Sequence, residues 1–276
     1  MTRAFRNFLL TLVVAATVAV AAPAVAAPAG ADLTYPTLGL PPAGANDWSC
    51  RPTGDRPYPA VIVHGTFGDQ QSLLDHLSLS LKRDGFCVYS LDYGNRATGP
   101  IEESAQQLKA FVDKVLVSTD AAKVEVVGHS QGGLMPRYYI KNLGGATVVE
   151  DLVGLAPSNH GTSVAGGFSA SSSCVACDQQ AAGSDFLQAL NNPDETPGDV
   201  DYTQVVTSHD EVVVPYTSGF LTDDEQSTNI TLQDRCPADP TEHLLIPADP
   251  QAIAWVLDAF HRAGPADEAA AIGCAG

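Results

Sequence analysis

Residues 124–133 read Val-Glu-Val-Val-Gly-His-Ser-Gln-Gly-Gly, and this stretch decides the fold class. The apolar run before Gly128 is typical of a buried strand, and helix-compatible spacing follows over residues 134–143. A sharp turn between a strand and a helix holds Ser130 clear of the backbone, where a base can reach its hydroxyl. A Cβ at Gly128 or Gly132 would clash in so tight a turn. The pattern predicts a nucleophile elbow at Ser130, and the alternative is a serine in an ordinary glycine turn.

The rest of the chain alternates between strand and helix patterns. Predicted strands span residues 58–63, 86–91, 124–127, 152–155, 203–206 and 229–232, and predicted helices span 73–81, 101–116, 134–143 and 250–260. This alternation favours an α/β fold in which helices cover both faces of a mainly parallel sheet. Functional groups then collect at the carboxyl ends of the strands. Residues 161–199 interrupt the pattern with many Gly, Ser, Asn and Pro residues, and only 186–190 has a helical pattern there.

Residues 1–26 have the character of a secretory signal peptide. A basic start precedes an apolar, alanine-rich run, and Ala24-Val25-Ala26 offers a small-residue cleavage site. An uncleaved membrane anchor is the alternative, because the run approaches spanning length. The alanine-rich end favours cleavage. We expect a secreted, extracellular protein with no stable membrane anchor, whose residues 27–276 form a single domain with an excursion or lid-like insertion at about 161–199.

The composition restricts the classes of binding partner and the cellular compartment that we expect. The formal net charge of -18 disfavours nucleic acid and anionic membranes as partners. Six cysteines, all beyond residue 26, indicate disulfides in an exported protein. We expect neighbours along the chain to pair: Cys50 with Cys87, Cys174 with Cys177, and Cys236 with Cys274. A redox or zinc role for Cys174 and Cys177 is the weaker alternative, because no second thiol pair or histidine pair stands at ligand spacing.

A reactive serine needs a base, and the base needs an acid that fixes its tautomer. In a sheet of this kind the acid and then the histidine follow the serine along the chain. His243, in the loop after the last predicted strand, is the candidate base, and a loop histidine bonded to backbone is the alternative. Asp210, after the strand at 203–206, is the candidate acid, with Glu211 in reserve and an ordinary turn aspartate as the alternative. Three other histidines follow Ser130 and fit this role less well: His160, His209 and His261.

A serine that attacks a carbonyl carbon builds an oxyanion, which backbone N–H groups must stabilise. Gln131 follows the serine, and its N–H is the first candidate. The second is Thr66, in the loop 64–68 after the first clear strand, because its hydroxyl could donate as well as its N–H. Phe67 is the near alternative for the second donor, and a plain glycine turn is the ordinary interpretation of this loop.

Five short motifs carry these candidates: Val63-His64-Gly65-Thr66, Gly128-His129-Ser130-Gln131-Gly132-Gly133, Asn159-His160-Gly161-Thr162, Asp210-Glu211-Val212-Val213-Val214-Pro215 and Glu242-His243. Together, over about Asp47 to Phe260, they resemble the secreted bacterial class 2 lipases of the α/β-hydrolase superfamily. The chain is also similar to the fungal lipase B group in its acid motif and cysteine placement. The resemblance implies an α/β-hydrolase fold and a carboxylic ester hydrolase for acylglycerols or simpler esters, with Ser130, Asp210 and His243 as the triad. The insertion at 161–199 is longer than in the smallest of these lipases, so lid behaviour does not carry over.

Apolar residues near the predicted strand ends and on the excursion are candidates for the wall that binds an acyl chain. They are Phe67, Leu134 and Val213 near the strand ends, with Phe168 and Phe186 on the excursion. Packing of the excursion onto the sheet is the favoured alternative for the last two. Calcium binds some bacterial lipases, and Asp223-Asp224-Glu225 could hold it, although such runs are usually solvated. We predict no metal and no cofactor.

The first functional interpretation is a secreted lipase or esterase that forms an acyl-enzyme and acts on a lipid or other ester, either in solution or at an interface. A polyester or cutin depolymerase and an acyltransferase are open alternatives within the enzymes. A non-catalytic binding protein of the same fold is the least favoured, because all three reactive residues have candidates in the right order. A monomer is the default expectation.

Overall fold

A parallel sheet forms the centre of the protein, in a computed structural model that describes residues 39–164 and 173–274. Within these residues the sheet has six strands in the order β2-β1-β3-β4-β5-β6, and every neighbouring pair runs parallel. The strands are β1 (Ala60–Val63), β2 (Val88–Ser90), β3 (Val124–His129), β4 (Val149–Leu155), β5 (Asp201–Val206) and β6 (Ser227–Thr231). The predicted signal peptide and Phe168 lie outside the described residues.

Helices cover both faces of this sheet, as the sequence predicts. They are α1 (Asp75–Asp84), α2 (Ile101–Thr119), α3 (Gln131–Asn142), α4 (Val175–Gln179), α5 (Asp185–Asn191), α6 (Leu232–Arg235) and α7 (Pro250–Phe260). Helix α7 begins where the sequence predicts, because the Asp249 carboxylate accepts the Ala252 N–H at 2.7 Å and caps its first turn. We find no helix among the described residues that could cross a membrane.

Alternate residues of the strands point into two separate apolar cores. On one face, Val61 and Val126 pack with side chains of α2 and α3, and on the other, Ile62 and Val127 pack with side chains of α1 and α7. Each fully buried aliphatic side chain contributes about 1.5–3 kcal/mol to folding. Because both faces are buried, the strands are nearly continuous apolar runs, and this made them recognisable in the sequence.

The excursion between β4 and β5 contains more helix than its sequence pattern indicates. The prediction of a single helix there is wrong, because α4 precedes α5. Cys174 begins α4: its Sγ accepts the Cys177 N–H at 3.1 Å, and a disulfide joins the same two residues. Ala176 and Cys177 are buried, so this short helix is fixed by its contacts rather than by intrinsic helix propensity.

The three disulfides join the cysteines in the predicted pairs: Cys50–Cys87, Cys174–Cys177 and Cys236–Cys274. The first and third bridge sequence separations of 37 and 38 residues, whereas the second bridges only 3. In the chain-entropy account, long loops restrict the unfolded state more than short ones. The first and third disulfides therefore support the fold as a whole, and the second acts locally on α4.

A left-handed turn joins β2 to α2. Gly94, Asn95, Arg96 and Ala97 have φ values of 57°, 50°, 61° and 55°. Residues with a Cβ are disfavoured in this region by about 1–2 kcal/mol each. Three of the four carry a Cβ, so the surrounding structure must hold the turn in place.

Candidate active site

The sharp turn after β3 has the strand-turn-helix geometry that the sequence predicts. Ser130 has φ 57° and ψ -124°, a strained conformation for a residue with a side chain. A Cβ on Gly128 would lie 1.8 Å from the Gly132 carbonyl oxygen, and one on Gly132 would lie 2.4 Å from the Val63 carbonyl oxygen. The two glycines therefore let the backbone pass close enough to present Ser130 at the carboxyl end of the sheet.

Ser130 opens onto a cavity of about 160 Å³. The loop after β1 passes directly against the elbow, since a Cβ on Gly65 would lie 2.9 Å from Ser130 Cβ. The lining of this cavity is mostly apolar and includes Phe67, Cys177, Val212, Val213 and Leu244. His243 lines the same cavity, so the serine and the candidate base face one common space.

Asp210 and His243 form a buried pair. The His243 Nδ1 atom lies 2.8 Å from Asp210 Oδ2, and the two side chains are only 3% and 1% exposed. The other oxygen, Oδ1, accepts the backbone N–H groups of Val212 and Val213 at 2.9 and 2.7 Å. A carboxylate only accepts, so Nδ1 carries the hydrogen and Nε2 is the ring nitrogen able to take a proton. Glu211, the reserve candidate, is exposed to solvent.

Ser130 and His243 line the same cavity, and in the described part of the chain no hydrogen bond joins their side chains. Hydrogen bonds of this kind are often long when no substrate is bound, and they tighten in the reacting complex. The arrangement brings together the serine, the imidazole and the carboxylate that the sequence predicts.

His129 supports the candidate base from behind, a role that the sequence reasoning missed. Its Nε2 atom lies 2.8 Å from the His243 carbonyl oxygen, and the two imidazole rings are 4.9 Å apart. A carbonyl only accepts, so His129 Nε2 carries a hydrogen. Burial lowers the pKa of His129 to about 3, with the nearby His243 as the second cause. His129 is therefore an uncharged hydrogen-bond donor. Because it occupies a variable position of Gly-x-Ser-x-Gly, the motif did not indicate this contact with His243.

The backbone N–H groups near Ser130 are not equally available to an oxyanion. Phe67 donates its N–H to the Arg96 carbonyl at 2.8 Å, so the near alternative for the second donor is occupied. Within the described ranges, the N–H of Thr66 has no hydrogen-bond partner. Gln131 is the first residue of α3, where an N–H has no partner within the helix. The N–H groups of both predicted donors are thus without a partner in the described loop and helix, whereas that of Phe67 is taken.

Two of the predicted wall residues lie elsewhere, and their assignment is corrected. Leu134 is fully buried in the core beneath the elbow, because its position on α3 faces the sheet. Phe186 packs on the ring of Tyr138 at 5.9 Å and lines a different cavity beside α4 and α5. Phe67 and Val213 do line the cavity of Ser130. Phe168 lies outside the described residues.

The remaining candidates stand apart from the cavity. His160 pairs with Glu195 at 2.8 Å on the surface, and His261 pairs with Asp84 at 2.7 Å. In the acidic run 223–225, Asp224 accepts hydrogen bonds from the Thr196 hydroxyl and the Gln226 N–H. Over residues 39–164 and 173–274, no cluster of three or more His, Cys, Asp or Glu side chains is arranged to hold a metal ion.

Comparison with known sequences finds similarity to lipases. The sequence model of the family described as "Lipase (class 2)" matches residues 57–255. A triacylglycerol lipase of Vibrio cholerae is 41% identical over 100 residues, which are 35% of this chain and 30% of that protein. A triacylglycerol lipase of Pseudarthrobacter phenanthrenivorans is 38% identical over 88 residues, 29% of this chain and 27% of that protein. The chain therefore matches less than a third of the length of these curated relatives.

Comparison with solved structures identifies the fold. Aspergillus fumigatus lipase B superposes with a TM-score of 0.69 at 21% identity, over 82% of this chain and 56% of that one. A Bacillus licheniformis lipase in its propeptide form gives a TM-score of 0.58 at 16% identity, over 85% of this chain and 55% of that one. An α/β hydrolase from a lagoon-sediment metagenome gives 0.52 at 19% identity, over 75% and 90%. The protein has the α/β-hydrolase fold.

Proposed function

The chain belongs to the class 2 lipase family, and from this membership we propose that it is a serine carboxylic ester hydrolase acting on acylglycerols or simpler esters. One observation carries the proposal. The hydrogen-bonded pair of Asp210 and His243 is buried at the wall of the same cavity that holds Ser130 on its strained turn. An ordinary glycine turn would need neither the strain nor the pair.

In the proposed reaction, the Ser130 hydroxyl attacks the ester carbonyl carbon while His243 Nε2 takes its proton. The carbonyl oxygen becomes an oxyanion and accepts hydrogen bonds from the free N–H groups of Thr66 and Gln131. When the tetrahedral intermediate collapses, the protonated imidazole gives its proton to the leaving alcohol and Ser130 keeps the acyl group. Water then attacks the acyl-enzyme with His243 again as base, and the acid is released.

Asp210 has an orienting role in this scheme. Two backbone N–H groups fix one of its oxygens, so the other oxygen faces His243 Nδ1 in a single orientation. The carboxylate thereby selects the tautomer with a basic Nε2 and supports the positive charge that the imidazole gains during turnover. The hydrogen bond from His129 to the His243 carbonyl fixes the backbone of the same residue.

We assign the acyl group to the apolar wall of the cavity, where Phe67, Val212, Val213 and Leu244 lie. Burial of each methylene of an acyl chain there would contribute about 0.8 kcal/mol. The names of the curated relatives support a triacylglycerol among the candidate substrates. A rate series over p-nitrophenyl esters of increasing chain length decides: a maximum at short acids indicates an esterase, and long-chain activity that rises at an interface indicates a lipase.

The proposal includes export. The signal-peptide pattern of residues 1–26 and three disulfides are both typical of a protein that folds in an oxidising compartment. The mature protein would then be a single domain over residues 27–276. Amino-terminal sequencing of the secreted product tests the cleavage after Ala26.

Labelling with a fluorophosphonate tests the nucleophile directly. We expect one adduct, which peptide mapping places on Ser130, and no adduct in the Ser130→Ala variant. Ser163→Ala, which removes an exposed serine, serves as the matched control and should label like the wild type. Failure of the folded wild-type protein to label, or an adduct on another serine, would overturn the proposed function.

A further inference from the structure

The hydroxyl of Thr66 receives two amide hydrogen bonds at the edge of the Ser130 cavity. Gln131 Nε2 donates to Thr66 Oγ1 at 2.9 Å, and Gln180 Nε2 donates to the same oxygen at 3.1 Å. Both glutamine side chains are buried, with Gln131 0% and Gln180 6% exposed, so water does not compete for these contacts.

The orientation of both amides follows from their other contacts. Gln131 Nε2 also faces the Ala97 carbonyl oxygen at 2.8 Å, and Gln180 Nε2 faces the Ala176 carbonyl oxygen at 3.0 Å. A carbonyl oxygen only accepts, so each amide must turn its NH₂ group toward it. The Gln180 oxygen, on the other side, accepts the Ser158 hydroxyl at 2.8 Å. Thr66 Oγ1 is consequently an acceptor in both contacts.

This leaves the hydrogen of Thr66 free. A hydroxyl has two lone pairs and one hydrogen, and the two amides occupy the lone pairs. The Thr66 hydroxyl donates to no acceptor in the described portion of the chain, and Thr66 lines the cavity beside Ser130. From this geometry we infer that Gln180, together with the Gln131 side chain, positions the Thr66 hydroxyl as a donor to the oxyanion. The inference rests on the proposed function and adds Gln180 to it as a positioning residue.

The excursion between β4 and β5 supplies Gln180 to this arrangement. Gln180 follows α4, the helix held by the Cys174–Cys177 disulfide, and its backbone carbonyl accepts the Thr162 N–H at 2.9 Å. The amide therefore reaches Thr66 from a backbone that is fixed on two sides. Orientation of a hydroxyl before the reaction strengthens its bond to the charge that forms in the transition state, because no reorganisation is then required.

The Gln180→Glu variant tests this role with almost no change of shape. A carboxylate only accepts, so it would take the hydrogen of the Thr66 hydroxyl and turn it away from the oxyanion. We expect kcat for p-nitrophenyl butyrate to fall about 10- to 100-fold with KM nearly unchanged, since the lost contact forms only in the transition state. The ratio of variant to wild-type kcat should rise as the pH falls and the new carboxyl gains a proton that it can donate.

A double-mutant cycle separates positioning from general damage. In a Thr66→Val background, which has no hydroxyl to orient, the loss of kcat from Gln180→Glu should shrink to the part that the new charge alone causes. Gln188→Glu places the same charge on the exposed surface of α5 and should leave the activity unchanged. An equal loss from Gln180→Glu in both backgrounds, or a pH-independent loss, would contradict the inference.

A second variant covers the case in which Gln180→Glu does not fold. Gln180→Met removes both amide N–H groups without adding charge, and it should lower kcat about threefold to tenfold while Thr66→Val abolishes the effect. Normal activity of a folded Gln180 variant overturns the positioning role alone. A wild-type protein that neither labels at Ser130 nor hydrolyses esters overturns the proposed function as well.

Discussion

Both ends of the central sheet contain buried carboxyl groups, but only at one end do hydrogen-bond donors surround the carboxyl group. At the carboxyl ends of the strands, Asp210 has two backbone N–H groups on one oxygen and His243 on the other. At the amino ends, Glu125 of β3 and Asp151 of β4 face each other, and Asp151 Oδ1 finds no hydrogen-bond partner among the described residues. Burial raises the pKa of Glu125 to about 8, and burial together with Glu125 raises the pKa of Asp151 as well.

The comparison shows what a buried carboxyl group needs in order to act on a neighbour. Donors that are already in place fix the direction of the Asp210 carboxylate, so its other oxygen meets His243 Nδ1 in a single orientation. Glu125 and Asp151 have each other in place of a cation, so the pair keeps a proton through neutral pH and has no base to orient. Burial alone therefore does not distinguish a carboxylate that can orient an imidazole from one that cannot.

Removal of the Asp210 charge should have the largest effect. Asp210→Asn keeps the shape and the acceptor for the two N–H groups, but its amide would donate to His243 Nδ1 and select the wrong tautomer. We expect kcat to fall about 10⁴-fold with little change in the free energy of unfolding. Steady-state rates and chemical denaturation measure the two quantities. Glu211→Gln, one residue away and exposed, is the matched control, and a tenth or more of wild-type activity in Asp210→Asn would show that Asp210 does not orient the base.

Loss of the donor behind His243 should have an intermediate effect. His129→Ala leaves the buried His243 carbonyl without its partner, which costs about 1–3 kcal/mol of stability. The loop that carries the base would also lose its fixed position, so kcat should fall about tenfold. His129→Asn retains a donor and should recover part of the activity, whereas His209→Ala removes an exposed histidine at the same end of the sheet and should change neither quantity. Unchanged kcat in His129→Ala would limit His129 to a structural role.

Substitution of Glu125, at the amino ends of the strands, should change the stability of the protein and not its activity. Since the folded pKa of Glu125 lies above its ordinary value of 4.5, the unfolded chain loses this proton first, and stability falls as the pH rises from about 4.5 to about 8. Glu125→Gln removes this titration, so its advantage in unfolding free energy should grow by about 4 kcal/mol between pH 4.5 and pH 8, with kcat unchanged. Denaturant titrations at pH 5 and pH 8 measure it. The exposed Glu103→Gln is the control, and an equal effect at both pH values would contradict the raised pKa.

Much of the fold and of the candidate site could be predicted from the sequence, because both depend on local patterns. Strands buried on both faces are apolar runs, and the chain order serine, acid, histidine, together with positions in the loops after β5 and β6, favours Asp210 and His243. The predicted start of one helix differs from the observed one. Helix α3 begins at Gln131 and not at residue 134, because the helix starts directly after the strained Ser130.

The rest depends on contacts between distant segments, which leave little trace in the sequence. Glu125 alternates with valines and so resembles a solvent-facing strand residue, yet both faces of β3 are covered. Gln180 lies in a polar stretch and meets Thr66 only because α4 folds back over the sheet end. Likewise, nothing in the chemistry of Leu134 or Phe186 separates a cavity wall from a core position, and tertiary packing decided both.

The left-handed turn at Gly94–Ala97 limits how the protein can be engineered for higher thermal stability. Glycine in place of Asn95, Arg96 or Ala97 would relieve about 1–2 kcal/mol of backbone strain per residue. However, the carbonyls of Arg96 and Ala97 hold the Phe67 N–H and the Gln131 amide, and a looser backbone would release both. A screen that selects for heat resistance alone would thus favour substitutions at this turn that slow turnover, and selection for both properties would preserve the strain.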